Sequence, residues 1–144
     1  MRRLFRAACV ASSMFIAASP AAAATVEVIK TATCGCCSKW VDHLRKAGLS
    51  VTTKDVADVT PVARKLGVPD ALRSCHSARI GGYAIEGHVP AADIKRLLRE
   101  KPKAAGIAVP GMPAGSPGME GASKERFATM IFDRSGKSRI FAQH

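Results

Sequence analysis

A β-branched run ends directly on a cluster of thiols, and a helical repeat begins inside that cluster. Val26, Val28 and Ile29, flanked by threonines, predict a strand between Thr25 and Thr33. Cys37, Val41 and Leu44 then recur at helical spacing with Trp40 beside them, and Gly48 stands where a helix C-terminus wants a residue free to take positive φ. The tetrapeptide Cys34-Gly35-Cys36-Cys37 therefore joins a strand end to a helix start. A second β-branched run, Val51 to Val56, and a short capped helix, Thr60-Pro61 with Val62, Ala63 and Leu66 before Gly67, complete a β-α-β-α half. This alternation points to an α/β protein with a central mixed β-sheet flanked by helices.

In the second half, Ser74-Cys75-His76-Ser77 leads into a run of β-formers and glycine, Ala78 to Val89. Gly81-Gly82 either breaks that run or marks a hairpin bulge, and periodicity does not decide. Pro90 opens a helix with Ile94, Leu97 and Leu98 on one face, stopped at Lys101-Pro102. From 104 to 121 the composition shifts to Gly, Pro, Ala and Met, a loop long enough to need a functional or a disorder explanation. Phe127 to Phe132 and Arg139 to Ala142, around Asp133-Arg134-Ser135-Gly136-Lys137, predict a C-terminal β-hairpin at 126–143.

The first 24 residues read as a secretory signal peptide rather than as part of the fold. Arg2, Arg3 and Arg6 give a basic start, Ala7 to Ala18 an apolar stretch, and Ser19-Pro20-Ala21-Ala22-Ala23-Ala24 a small-residue cleavage region. The apolar stretch is well short of the roughly 20 residues that span a bilayer, so stable membrane insertion is not expected. Cys9 falls within this segment and receives no role. What remains, 25–144, is one small domain, with a core at 25–103. Removing Arg2, Arg3 and Arg6 takes 22 basic residues to 19 against 11 acidic ones, and the formal charge from +11 to +8. The cations are scattered along amphipathic segments, and no basic run is interleaved with aromatics that would stack on bases. The charge is read as a solvated surface, with only generic attraction to anionic membranes, and no nucleic-acid partner is expected.

Crowding then decides the chemistry. Cys34-Gly35-Cys36-Cys37 is at once a C-x-C, a C-C and a C-x-x-C, whereas one disulfide needs two thiols. A helix N-terminus stabilises thiolate, which makes Cys34 the activated thiol and Cys37, one turn on, its partner in a disulfide or an attack on a mixed disulfide. The loop resembles the C-G-P-C of thioredoxins with Cys36 in place of proline. In a thioredoxin-like fold the segment entering the third strand faces this loop, and Cys75 sits at the start of such a segment. Neighbouring thiolates on a short loop do not easily wrap one tetrahedral Zn, whose ligands usually come as two separated pairs. They suit several Cu(I) ions, which are soft and tolerate shared sulfurs.

Thr33-Cys34-Gly35-Cys36-Cys37 with Trp40, Ser74-Cys75-His76, Gly81-Gly82-Tyr83, Glu86-Gly87-His88-Val89-Pro90, Val109-Pro110-Gly111-Met112-Pro113 and Gly115-Ser116-Pro117-Gly118-Met119-Glu120 together resemble the CopG-type periplasmic copper-resistance proteins, once catalogued as a domain of unknown function. The resemblance runs from Val26 to about Glu120. It implies a thioredoxin-like fold, a copper cluster bridged by cysteines at positions matched by Cys34, Cys36, Cys37 and Cys75, and a place in periplasmic copper handling among other copper-handling proteins, with interconversion of Cu(I) and Cu(II).

Four weaker candidates surround these cysteines. His88 balances between a copper-access role and a surface or capping one. His76 gains from adjacency to Cys75, although neighbours on a strand point to opposite faces. Met112 and Met119 offer thioethers suited to Cu(I), yet packing of the Gly/Pro loop onto the domain is the preferred reading for both. His43, on the first helix, and His144 are not promoted. The alternative function is a thiol-disulfide oxidoreductase using Cys34 and Cys37, which has no use for Cys36.

Overall fold

The computed structural model describes residues 24–144; the expected signal peptide lies almost wholly outside them. Strand β1 (Val26–Lys30) leads through α1 (Gly35–Lys46) to β2 (Val51–Asp55), and α2 (Thr60–Lys65) follows. A short 3-10 turn, Asp70–Leu72, precedes β3 (Ser77–Ile80) and β4 (Tyr83–Glu86); then come α3 (Ala91–Glu100), β5 (Gly106–Ala108), β6 (Ala128–Phe132) and β7 (Ser138–Gln143).

The seven strands form one mixed sheet in the order β2-β1-β3-β4-β5-β6-β7. β1 and β2 are parallel, as the crossover through α1 requires, while β1 with β3 and β3 with β4 are antiparallel. β4 pairs with β5 in parallel, and β5–β6 and β6–β7 are antiparallel. Gly81 and Gly82, at φ +56 and +87, form the tight connection between β3 and β4, so the Gly-Gly pair marks a hairpin.

Period-two alternation sends successive strand residues to opposite faces, and each face is covered. Val26, Val28, Ile85, Ile107 and Ile131 pack with Trp40, Val41 and Leu44 of α1 and Ile94 and Leu97 of α3. Their sheet neighbours Ala84, Ala108 and Phe132 pack the other way, with Ala63 of α2 and with Val68 and Leu72. Burying side chains such as Leu44 and Leu97 contributes about 2 kcal/mol each.

One expectation changes. The 104–121 segment is not a loop throughout: Gly106–Ala108 is a fully buried central strand. Its three residues are too few to show a period, and it is defined by partners on both sides. The terminal hairpin is consequently no appendage, because β5 joins it to the rest of the sheet.

Candidate metal centre

The chain leaves β1 at Lys30 and enters α1 at Gly35, with Cys34 as the N-cap in extended conformation (φ −76, ψ 93). No side chain caps this helix and no acidic residue occupies its first turn, so its N–H groups and positive dipole end face the thiols. Positions three apart lie on one helix face, and Cys34 and Cys37 are joined there in a disulfide. Cys36 and Cys75 are free thiols. Cys37 is buried, while Cys34, Cys36 and Cys75 are partly exposed. Cys36 Sγ lies 3.5 Å from Cys34 Sγ and 4.0 Å from Cys75 Sγ, and Cys37 Sγ lies 3.7 Å from Cys75 Sγ. All four sulfurs fall within 4.8 Å of one another.

Cys75 arrives on the segment before β3, and Glu86 holds that segment. The Glu86 carboxylate accepts the Ser74 backbone N–H at 2.8 Å and the Ser77 hydroxyl at 2.6 Å. The side chain is completely buried, and burial pushes its pKa up to about 7 despite those two bonds. The Ser74 hydroxyl donates to the Gly111 carbonyl, and the Gly111 N–H donates to the Arg73 carbonyl at 3.2 Å, so the Gly/Pro segment is tied down beside Cys75.

Two buried imidazoles flank the Cys75 sulfur: His88 Nε2 at 3.1 Å and His76 Nδ1 at 3.3 Å. These three residues form a second group of convergent ligand atoms that shares Cys75 with the first. His88 Nδ1 lies 2.8 Å from the Pro117 carbonyl, which only accepts; Nδ1 therefore carries the hydrogen and Nε2 presents its lone pair to Cys75. The His76 ring rests on Trp40 at 4.4 Å and meets His88 edge-on at 4.9 Å. Trp40 is fixed by its own Nε1–H, which donates to the Val89 carbonyl at 2.8 Å. Burial, with His88 as the second cause, lowers His76 to about 3, and burial lowers His88 as well, so both rings are neutral at ordinary pH. Burial and the neighbouring Cys36 push the Cys75 thiol up to about 12. A metal taken up here must displace that proton.

The geometry revises several expectations. The surface or capping reading of His88 fails, since the residue is 0% exposed. Strand alternation does not separate His76 from Cys75, because β3 begins only at Ser77. Packing does not describe Met112, which is 52% exposed; Met119 is partly buried in the 113–121 segment. Glu86 was not singled out by sequence reasoning, although a lone carboxylate closing the run Tyr83-Ala84-Ile85 was a visible signal. His43 accepts the Ala91 N–H at 3.1 Å and serves the start of α3, and His144 Nε2 lies 2.9 Å from Asp93 Oδ2. Neither belongs to the thiol cluster.

No helix among the described residues is long and apolar enough to cross a membrane. Residues 72–119 match the family model described as "Protein of unknown function, DUF411". No curated protein matches the chain. Two solved structures do, and both are named copper resistance protein CopG. Form 2 is 44% identical with a TM-score of 0.79, over 84% of this chain and 98% of that one. Form 1 is 45% identical with a TM-score of 0.78, over 83% of this chain and 96% of that one. This α/β chain, with its four convergent sulfurs, belongs to the family of the copper resistance protein CopG.

Proposed function

We propose that this chain is a periplasmic copper-binding protein of copper resistance that holds Cu(I) in a polynuclear cluster of the Cys34, Cys36, Cys37 and Cys75 thiolates. The observation that carries this reading is the convergence of the four sulfurs within 4.8 Å, drawn from a helix start and a remote segment. The donor set fits a soft ion that accepts shared sulfurs. His76 and His88 stand ready as nitrogen donors on the Cys75 side, and Met119 is a thioether candidate on the adjoining segment. Periplasmic copper-handling proteins would supply and receive the metal. The order β2-β1-β3-β4, with the cysteines after β1 and Cys75 before β3, supports a thioredoxin-like reading of the core.

The Cys34–Cys37 disulfide bears on loading, because it withholds two of the four thiolates. Two electrons, one from each of two Cu(I) that become Cu(II), and two protons reopen it as two thiols. In the reverse direction, the two thiols return to the disulfide, pass one electron to each of two Cu(II), and release two protons. That balance supports interconversion of Cu(I) and Cu(II) as the activity. The test is anaerobic Cu(I) titration of the reduced protein with metal analysis, wild type beside Cys75→Ser. More than one Cu(I) per wild-type chain and a lower count in the variant are expected; a stoichiometry near zero overturns the proposal.

The disulfide itself favours one second reading, a thiol-disulfide oxidoreductase acting through Cys34 and Cys37. It requires insulin-reducing turnover that is lost in Cys34→Ser and kept in Cys36→Ser. Equal dependence on Cys36 removes the simple dithiol mechanism.

A further inference from the structure

The segment 113–121 closes on itself before it touches the rest of the protein. Gly115 N–H donates to the Met119 carbonyl at 2.9 Å, and Met119 N–H returns to the Ser116 carbonyl at 2.8 Å. The buried Ser116 hydroxyl donates to the Pro113 carbonyl at 2.7 Å, and Gly118 N–H donates to Glu120 Oε1 at 2.8 Å. These bonds, with the Glu125 N–H donating to the Ala114 carbonyl at 2.9 Å, make the strap compact, and it approaches α1 where the two backbones meet.

They meet at Gly118. A Cβ on this residue would lie 2.6 Å from the Cys36 carbonyl oxygen, 2.9 Å from the Trp40 nitrogen and 3.2 Å from Trp40 Cβ. The first two are main-chain atoms within α1, which cannot rotate aside. Gly118 also holds φ at +88, a conformation that costs an L side chain. The residue before it, Pro117, gives the carbonyl that accepts from His88 Nδ1. A strap pushed back by on the order of 1 Å takes that 2.8 Å bond out of hydrogen-bond range.

We propose that Gly118 is a positioning residue for the Cys75 side of the centre: its missing side chain lets the strap dock on α1, and the docked Pro117 carbonyl fixes the His88 ring with Nε2 toward Cys75. The proposal rests on the reading of Cys75 as a copper ligand for its functional meaning, and on the geometry alone for the tautomer. Outer partners that orient a metal-site imidazole typically carry 10- to 100-fold in affinity.

The tautomer is read in metal-free, reduced protein by long-range 1H–15N NMR of labelled histidine. Wild type is expected to show His88 with its hydrogen on Nδ1. Gly118→Ala is expected to populate the Nε2–H form and to weaken Cu(I) affinity by about 10- to 100-fold. Gly121→Ala, where an added Cβ meets open space, is expected to change neither. Glu120→Ala removes the exposed tie to the Gly118 N–H without adding a clash, and is expected to shift His88 in the same direction should Gly118→Ala fail to fold. Wild type with the hydrogen on Nε2, or an unchanged tautomer in a folded Gly118→Ala and in Glu120→Ala, overturns the proposal. A tautomer that shifts as expected in a protein that takes up no Cu(I) upholds the strap and overturns the copper reading instead.

Discussion

Cys34, Cys36 and Cys37 reach the cluster from one turn of one helix, whereas Cys75, His76 and His88 reach it from two segments held by a buried carboxylate and a carbonyl 29 residues further on. On the helix side, position along the chain does the placing: Cys34 and Cys37, one turn apart, share a face, and Cys36 lies between them on the same turn. On the Cys75 side only Cys75 and His76 are chain neighbours; His88 joins them from beyond β4, and the bond that orients it comes from the distant Pro117 carbonyl. The first side is chemically crowded and structurally undemanding. The second is structurally demanding, with three fully buried titratable side chains in Glu86, His76 and His88.

The largest expected effect breaks the helix side by oxidation alone. With Cys34 and Cys37 in their disulfide, two of four thiolates are consumed, and anaerobic Cu(I) uptake is expected to fall by about half or more against the fully reduced protein. The check is chelator-competition titration of the two forms, separated by thiol counting. Equal uptake would mean that the Cys75 side, with its two imidazoles, carries the metal without the helix side.

Glu86 tests the opposite side through stability. Its pKa rises on folding from 4.5 to about 7, so between those values the folded chain keeps a proton that the unfolded chain has lost. Stability contributed by this group is therefore full below pH 4.5 and declines as pH rises to 7, by about 3 kcal/mol in all. Glu86→Gln cannot titrate, and its stability should lack that decline. Denaturant unfolding of reduced, metal-free wild type and variant at pH 5 and pH 8 gives the comparison. Parallel slopes would place the burial cost elsewhere.

The same contrast explains what could be read from the chain beforehand. The strand, cysteine loop and helix at 25–46 were legible because each signal is local: β-branched residues, then i, i+3, i+4 spacing, then Gly48. Cys75 was legible as a remote partner through its place ahead of β3. The burial of His88 was not, because a lone histidine before a helix looks like a surface residue until Pro117 and Cys75 are beside it. Strand β5 was hidden for a related reason. Gly106-Ile107-Ala108 has no pattern of its own, and becomes a strand only between β4 and β6.

Cys36→Ser gives the smallest expected change in stability and sharpens the comparison most. Cys36 is a partly exposed free thiol near the start of α1, its sulfur 3.5 Å from Cys34 Sγ and 4.0 Å from Cys75 Sγ, and serine is close to it in size. Serine at this position should alter unfolding free energy by no more than about 0.5 kcal/mol, measured by denaturant titration of metal-free protein. On the proposed cluster, copper uptake should nonetheless drop, since one of its four sulfurs is gone. A stable protein with fewer Cu(I) ions would mark the helix side as built for ligation and not for folding. A variant that lost stability while keeping its copper would reverse the roles, and would make the third sulfur of the loop a structural element between α1 and the Cys75 segment.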